Sequence, residues 1–356
     1  MPSALRSLPR TLKLFCMASL ASLLIIFGLL KAADIALSAH RNARLARWRA
    51  PTNKQGWRAD FDYSDPRIQG MRRAAVVGDS FAYGWGVDWN QTFSKRAFDS
   101  LNNGASHKWE ALNFGAYGVG PMKELETLER ILPRYRPDIV IWQFYINDIG
   151  GLHDGLQRNK ASADISAWKT PPSPIFMYNI KQAFHAFFPS LYLSTATGIR
   201  RIYGRLFKDR RTVFNDPDYM YRQWGGLYSP EELPRIEKDW ISLEQILIRA
   251  AAVSERYNAR FLVLFIPAEA EVSDAYREEL EKRFLYHIDK NAAESRYAHK
   301  RLALFLTQHR IELLDMLDDF RNHADPSALY LHGDFHLTPT GHAIIARRLA
   351  AMLARH

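Results

Sequence analysis

The stretch VVGDSFAYGWG, Val76 to Gly86, joins an apolar run to a turn rich in glycine and aromatic residues. Gly78, Asp79 and Ser80 lie where a buried strand is expected to end and a helix to begin. In an open parallel sheet, a side chain at that point faces the crevice beyond the carboxyl ends of the strands, where ligands bind. Two interpretations of Ser80 remain at this stage: a nucleophile, or a polar residue of a turn.

Five apolar runs have the length of strands and are nearly continuous, which is typical of strands covered on both faces. They are RAAVVG ending at Gly78, WEALNFG ending at Gly115, PDIVIWQFY ending at Tyr145, RFLVLFIP ending at Pro267, and IELLDML from Ile311. Helical patterns separate them or follow them: TFSKRAFDSLNN, MKELETLERILPRY, DWISLEQILIRAAAVSERYN, ESRYAHKRLALFLTQHR and TPTGHAIIARRLAAMLARH. This alternation predicts an α/β fold with a doubly wound parallel sheet.

One interval is too long to be an ordinary connection between a strand and a helix. Residues 150–238 contain PPSP, many aromatic residues and a basic stretch. They predict a helical insertion, which is either structural or a cap that shapes the substrate site or rests on a membrane. Residues 51–71 are polar, with Gly, Asp and Pro, and indicate a linker into the main domain, residues 72–356.

The composition is that of a globular protein, with 47% hydrophobic and 24% charged residues among 356. The net charge is +10, and residues 1–60 hold ten Lys/Arg against two Asp. Because the remaining body is nearly neutral, the charge argues against nucleic-acid binding and for a basic segment beside a membrane. The single Cys16 excludes an intramolecular disulfide and a multi-cysteine metal site.

The run from Leu14 to Leu30 carries no charge and is bracketed by Lys13 and Lys31. It predicts an uncleaved membrane anchor at the short end of spanning length, followed by a basic helix up to residue 50. A cleaved signal peptide is the alternative, but LLKAADIA is a poor cleavage site. Counting flanking Lys and Arg favours a cytoplasmic body.

Two further blocks lie at strand ends. The block NFGAYGVGP, Asn113 to Pro121, follows the second strand, and FYINDI places Asn147 and Asp148 after the third. The glycine spacing is not that of a dinucleotide fingerprint, and no Walker lysine is present. An Asn at this edge can donate its amide into the crevice or turn the chain through an Asx-turn.

The last block is HGDFHLTPTGH, just before the C-terminal helix. Here Asp334 could hold one nitrogen of the His336 ring while the other nitrogen faces Ser80. A zinc site formed by His332, Asp334, His336 and His342 is the alternative, but it would leave Ser80 and the glycine blocks without a role. His342, on the helix side, is interpreted as structural.

Taken together, these blocks resemble the SGNH/GDSL hydrolase superfamily, over about residues 72–149 and 258–350. The motif residues Ser80, Gly118, Asn147 and His336 occur in the family's order at strand ends. The resemblance implies a three-layer α/β/α sandwich with a five-stranded, flavodoxin-like parallel sheet. One departure is the spacing DFH, because the family often has Asp three residues before the His rather than two.

By this resemblance Ser80 is the nucleophile, His336 the general base and Asp334 the acid that orients it. The Ser80 N–H, the Gly118 N–H and the Asn147 amide would form the oxyanion hole. The elbow motif G-x-S-x-G of α/β-hydrolases is absent, which excludes that fold but not the chemistry.

The resemblance and the anchor together predict a serine esterase that removes O-acyl groups from a cell-envelope carbohydrate or lipid. Alternatives are an O-acyltransferase with the same triad, acting on an envelope polysaccharide, and a catalytically silent envelope scaffold. No cofactor, metal or nucleic acid is implied, and the oligomeric state is left open. The expected location is the inner membrane, single-pass, with an extracytoplasmic catalytic domain, although the flanking charges favour the opposite orientation.

Overall fold

A computed structural model describes residues 25–36, 52–65, 67–104, 108–150, 217–284, 288, 290–332 and 334–355, with Ser19 and Ser22. The chain divides into two compact units. The first comprises residues 1–47 and 166–209, and within it the structure describes a helix, α1, over residues 25–36. The second comprises residues 48–165 and 210–356 and contains the sheet.

The five predicted strands form one parallel sheet in the order β2-β1-β3-β4-β5. The strands are β1 (Met71–Val77), β2 (Lys108–Asn113), β3 (Ile139–Phe144), β4 (Arg260–Phe265) and β5 (Glu312–Asp315). This order is the flavodoxin-like doubly wound one, in which the direction of winding reverses at β1 and leaves a crevice between β1 and β3. The prediction of fold class and strand number is confirmed.

The helices of this unit lie on both faces of the sheet. They are α2 (Ser80–Tyr83), α3 (Phe93–Gly104), α4 (Pro121–Tyr135), α5 (Asn147–Gly150), α6 (Pro217–Trp224), α7 (Ile236–Arg256), α8 (Glu269–Val272), α9 (Asp274–Phe284), α10 (Lys290–Glu294), α11 (Tyr297–Gln308), α12 (Leu317–Arg321) and α13 (Pro339–Leu353). Because crossovers between parallel strands are right-handed, the reversal at β1 places α3 opposite α4, α7 and α11. Helix α13 returns to pack against α3, and α7 packs against α4.

The sheet is buried between these helices, as its continuous apolar runs predict. All six residues of β3 are buried. Arg73 on β1 and Glu110 on β2 form an ion pair inside the fold: the two are register partners, and the Arg73 guanidinium lies 2.6 Å from the Glu110 carboxylate. Arg73 also donates to the carbonyl oxygens of Tyr135 and Ser64, so the buried charge is fully hydrogen-bonded.

The predicted linker needs correcting, because residues 52–65 pack onto the domain as part of its core. Ala59 and Tyr63 are buried, and the Tyr63 hydroxyl donates to the Asn113 carbonyl at 2.7 Å. The guanidinium of Arg58, also buried, donates to the carbonyl oxygens of Tyr83, Gly84 and Val87. This segment, the 52–65 strap, therefore supports the loop that follows α2.

Two predictions concern parts of the chain that are largely outside the described residues. Of the predicted span Leu14–Leu30, the structure describes Ser19, Ser22 and residues 25–30, and of the insertion 150–238 it describes Gly150 and residues 217–238. Among the residues described, no helix combines the length and the apolar character needed to cross a bilayer.

Candidate active site

Ser80 is the first residue of the short helix α2, directly beyond the end of β1. Asp79 caps this helix, and its side chain accepts a hydrogen bond of 2.9 Å from the Phe81 N–H. From the neighbouring strand β3, the Gln143 Oε1 accepts from the backbone N–H groups of Asp79 and Ala82, both at 3.1 Å. The backbone on either side of Ser80 is therefore held at the switch point of the sheet.

The imidazole of His336 lies beside Ser80, although the two residues are 256 positions apart. The distance from His336 Nε2 to Ser80 Oγ is 2.7 Å, and His336 Nδ1 lies 2.5 Å from Asp334 Oδ1. Both Ser80 and His336 are buried, at 6% and 5% exposure. The structure thus brings together the three residues that the sequence predicted as nucleophile, base and orienting acid.

A tight loop before α13 holds His336 in place. The Leu331 N–H donates to the His336 carbonyl, and the Asp334 N–H donates to the Leu331 carbonyl, both at 2.8 Å. The chain then enters α13, whose first turn is capped by the Thr338 side chain. The two-residue spacing in DFH is compatible with a bonded pair, because the Asp334 carboxylate also accepts the His336 backbone N–H at 3.1 Å.

The environment of Asp334 favours its charged form. Burial raises the pKa of this carboxyl, but the hydrogen bonds from the His336 ring and backbone N–H and the positive charge of the protonated His336 ring outweigh it. The net result is a pKa below the usual value. A carboxylate that stays ionised keeps the proton of His336 on Nδ1, which leaves Nε2 free to accept a proton from Ser80.

Asn147 begins α5 at the end of β3, and its amide points toward the same edge. The Asn147 Nδ2 donates to the Asp79 carboxylate at 3.3 Å. An amide nitrogen carries two hydrogens, so this contact leaves one for another acceptor. The structure brings Asn147 to Asp79, which the sequence did not single out as a positioning residue.

Asp79 belongs to a group of buried carboxyls with Glu124 and Asp148. Burial raises the pKa of Asp79, and it raises the pKa of Glu124 and Asp148 well above the usual value. Repulsion adds to the effect, from Asp148 and Asp79 on Glu124 and from Asp79 on Asp148. The group therefore retains protons at pH values where exposed carboxyls are ionised.

Two glycines of the block after β2, Gly115 and Gly118, lie in different surroundings. Gly115 lies against α2, where an added Cβ would come within 2.3 Å of the Tyr83 backbone nitrogen. Gly118 is exposed in the loop between β2 and α4, with a φ of 68° in the region that favours glycine. Among the described residues, no hydrogen bond links Gly118 to Ser80, Asn147 or His336.

Aromatic rings surround the His336 imidazole. Phe335 stacks on it with centroids 4.5 Å apart, and Phe81 lies 5.1 Å away. Trp85, whose ring centroid is 6.1 Å from that of His336, stacks on the exposed Tyr117 at 4.5 Å. Sequence reasoning did not assign Trp85, although the pattern GWG, an aromatic residue between two glycines, was visible.

The zinc alternative is not supported by the donors present. Both ring nitrogens of His336 engage other residues, Asp334 and Ser80. His342 is buried, and its Nδ1 accepts the Phe93 N–H at 3.2 Å; burial and nearby positive charge lower its pKa to about 3. Within the described ranges no group of three His, Cys, Asp or Glu side chains could hold a metal ion.

Comparison with known proteins gives matches only among solved structures. No family model and no curated protein matches the chain. Several of the similar structures are described as lipolytic proteins of the G-D-S-L family. The structure of TesA shares 12% identity over 79% of this chain and 98% of its own, with a TM-score of 0.43.

Two other structures are similar to about the same degree. A G-D-S-L lipolytic protein from Veillonella parvula shares 10% identity over 80% of this chain and 100% of its own, with a TM-score of 0.41. A lipase/acylhydrolase from Enterococcus faecalis shares 10% identity over 80% of this chain and 96% of its own, with a TM-score of 0.42. At these identities the likeness concerns the fold alone.

Proposed function

We propose that this chain is a serine esterase of the SGNH/GDSL type. The observation that carries the proposal is the continuous contact from Ser80 Oγ through the His336 ring to Asp334, with distances of 2.7 and 2.5 Å. This geometry matches what an activated serine needs, namely a base within hydrogen-bond reach and a third group that orients the base.

In the proposed reaction Ser80 Oγ attacks the ester carbonyl carbon while its proton passes to His336 Nε2. The tetrahedral intermediate collapses, and His336 returns that proton to the leaving alcohol, so an acyl-Ser80 ester remains. Water then attacks this ester and loses a proton to His336, and His336 returns that proton to Ser80 Oγ as the carboxylic acid leaves. Asp334 stabilises the imidazolium in both halves of the reaction.

The oxyanion would be stabilised by the Ser80 and Gly118 N–H groups and the second amide hydrogen of Asn147. One donor of this kind is worth about 3 kcal/mol of the barrier. The contact between Asn147 and Asp79 supports this role for Asn147, because it restrains the rotation of the amide. Gly118 lies in the exposed loop that follows β2 at the same edge of the sheet, and the role of its N–H is part of the proposal.

We further propose that Leu14–Leu30 anchors the protein in the inner membrane, with the domain outside the cytoplasm. A neutral run between Lys13 and Lys31 supports the anchor, and the basic residues 41–49 would lie against anionic headgroups. An enzyme held there would meet O-acyl groups on envelope carbohydrate or lipid. A sugar hydroxyl that reached the acyl-Ser80 before water would turn the same chemistry into acyl transfer.

The test compares the full chain in detergent with its Ser80→Ala variant on p-nitrophenyl acetate. We expect the variant to lose at least 10³-fold in kcat, because the nucleophile is removed while the fold is kept. A fluorophosphonate probe should label the wild type only. Equal hydrolysis by the two proteins would overturn the proposal, and absence of labelling would favour a silent scaffold.

Hydrolysis and acyl transfer are distinguished by measuring free acetate and acylated glycan after incubation with an acetyl donor. We expect free acetate to account for most of the turnover. Acylated glycan as the main product would make the enzyme a transferase, with the roles of Ser80 and His336 unchanged.

A further inference from the structure

A pair of aromatic rings lies beside the triad and reaches the surface. Tyr117, in the loop after β2, stacks on Trp85, in the loop after α2, with ring centroids 4.5 Å apart and planes inclined by 24°. The Trp85 ring in turn lies 6.1 Å from the His336 imidazole. Tyr117 is 61% exposed. An exposed ring that is stacked on a second ring next to the triad has the character of the surfaces on which ligands bind.

The main chain fixes both rings relative to Ser80. The Trp85 N–H donates to the Ser80 carbonyl at 2.9 Å. On the other side, the N–H of Ala116, which precedes Tyr117, donates to the Gly78 carbonyl at 3.1 Å, two residues before Ser80. The two loops are therefore attached to the same short stretch of backbone. A subsite that orients a substrate at a reactive group requires such a rigid attachment.

The exposed surface of this pair is a flat ring face. Because Trp85 covers one face of the Tyr117 ring, the surface open to solvent comprises the opposite face and the ring edge. The face of an aromatic ring carries the negative part of its quadrupole and attracts positively polarised hydrogens. A pyranose ring presents C–H bonds of this kind on one face, while its hydroxyl groups project from the rim. Stacked on Tyr117, a sugar would bury its C–H face and keep its hydroxyl groups hydrated.

Polar groups accompany the aromatic pair and favour a sugar over a hydrocarbon chain. The Asp334 side chain, bonded to His336, is 36% exposed, and Asp88, three residues after Trp85, is exposed as well. Carboxylate oxygens of this kind accept hydrogen bonds from hydroxyl groups. A hydrocarbon chain offers no donor to them, and it gains free energy only from the apolar area that it removes from water.

We propose that Tyr117, supported by Trp85, forms a sugar-binding subsite, on which the ring of an O-acylated carbohydrate stacks while its acyl group reaches Ser80. The inference rests on the proposed esterase function and selects carbohydrate, rather than lipid, as the alcohol part of the ester. The sugar oxygen is then the leaving group that takes its proton from His336.

The test is Tyr117→Ala in the full chain in detergent, assayed on three acetate esters that differ only in the alcohol: an O-acetylated methyl glucoside, hexyl acetate and ethyl acetate. We expect kcat/KM for the sugar ester, relative to ethyl acetate, to fall about tenfold, mainly through KM, because the stacking is lost. The value for hexyl acetate relative to ethyl acetate should change much less. An equal fall for hexyl acetate would show an unspecific apolar surface and would overturn the proposal.

Two further variants separate stacking from other effects. Tyr117→Phe keeps the ring and removes the hydroxyl, so it should rescue the preference for the sugar ester. If Tyr117→Phe lost as much as Tyr117→Ala, a hydrogen bond of the hydroxyl would explain the effect and ring stacking would be wrong. Tyr257→Ala is the matched control, because Tyr257 is an exposed tyrosine that follows α7 and precedes β4, at the other edge of the sheet. We expect it to keep the preference of the wild type.

Ser80→Ala on the same esters distinguishes failure of this inference from failure of the esterase function. If Ser80→Ala is inactive while Tyr117→Ala keeps the wild-type preference for the sugar ester, the subsite is wrong and the esterase function stands. If Ser80→Ala hydrolyses ethyl acetate as fast as the wild type, the esterase function is wrong, and the subsite with it.

Discussion

At the scale of single residues, the position of Ser80, the proposed nucleophile, depends on a polar side chain inside a buried strand. Gln143 is fully buried on β3, and its Oε1 accepts two backbone N–H groups that flank Ser80. Gly78 makes room for it, since an added Cβ there would lie 2.4 Å from that oxygen. In the sequence Gln143 is visible only as a polar residue within the apolar run PDIVIWQFY, which does not identify its partners.

Replacing Gln143 by Leu should therefore damage both stability and activity. Two buried N–H groups would lose their acceptor, and each such group costs about 1–3 kcal/mol. We expect the free energy of unfolding, measured in urea, to fall by at least the cost of one such group, about 1–3 kcal/mol. The value of kcat should fall as well. Gln91→Leu is the control: the Gln91 side chain also accepts a backbone N–H, from Asp88, but in an exposed turn. A loss no larger than the control's would contradict this account.

The contact between Ser80, His336 and Asp334 could be predicted from the sequence, whereas the support that Gln143 gives to Ser80 could not, for a physical reason. Ser80 and His336 belong to residue types that catalyse reactions, and each lies next to a recognisable pattern. Ser80 follows an apolar run that marks a strand, and His336 precedes a capped helix. Gln143 acts through two hydrogen bonds from backbone N–H groups that are at least 61 positions away. No local pattern encodes such a contact, so only the folded chain reveals it.

At the scale of elements, the carboxyl ends of β4 and β5 are joined by a buried histidine. His299 on α11 lies between Asp315, which ends β5, and Glu271 on α8. Its Nδ1 is 2.8 Å from the Asp315 carboxylate, while its Nε2 lies 3.2 Å from Glu271 without hydrogen-bond geometry. The ring also stacks on Phe265 of β4 at 3.8 Å. These contacts position α8 and α11 at the edge of the sheet.

This arrangement makes stability depend on pH. Burial alone would lower the pKa of His299, but Glu271 and Asp315 outweigh it and raise the pKa to about 9. The unfolded chain has an ordinary value near 6.5. Because the folded state binds the proton more tightly, the stabilisation is complete below about pH 6.5 and is lost as the pH rises through about 9.

We expect the difference in unfolding free energy between the wild type and His299→Gln to be largest below about pH 6.5 and to shrink as the pH rises through about 9. Its size should be about 1.4 kcal/mol for each unit by which the fold raises the pKa. Urea unfolding at pH 6, 7.5, 9 and 10 measures it. His309→Gln, a change at an exposed imidazole, is the control and should give a small difference at every pH. A His299→Gln difference that did not shrink toward pH 10 would show that the imidazole is neutral in the folded protein.

The elements also show where local patterns suffice. Long apolar runs and amphipathic helices were predicted within a few residues, because burial requires those patterns. The short helices α8, α10 and α12, of four or five residues, were not, since one turn carries too little periodicity. The 52–65 strap was mistaken for a linker, although Trp57, Ala59, Phe61 and Tyr63 alternate with polar residues as a half-buried extended segment does.

At the scale of the whole molecule, the topology explains how distant residues meet. The sheet winds in opposite directions from β1, so the ends of β1 and β3 face an open crevice. Ser80 follows β1 and Asn147 follows β3. The chain then crosses the sheet to β5, and α13 returns to pack on α3, which brings His336 back to the starting point. The strand order and the return of α13 to α3 together convert a separation of 256 residues into a contact of 2.7 Å.

The distribution of charge sets a prediction for the molecule as a whole. Residues 1–50 contain the uncharged run Leu14–Leu30 and eight Lys/Arg against one Asp, so a chain starting at residue 51 loses the predicted anchor and +7 of the net charge of +10. It keeps the 52–65 strap, so we expect its kcat to equal that of the full chain in detergent. The full chain should sediment with lipid vesicles, and residues 51–356 should stay in the supernatant.

Orientation is tested by adding protease to intact spheroplasts that express the full chain. We expect the domain to be digested from outside, as an extracytoplasmic enzyme would be. The residues Lys31, Arg41, Arg44, Arg47 and Arg49 follow the predicted span, whereas Arg6, Arg10 and Lys13 precede it. If this excess governs insertion, the domain lies in the cytoplasm and survives protease until the membrane is broken. Reversing the balance by changing Arg41, Arg44 and Arg47 to Gln should then turn the domain outward.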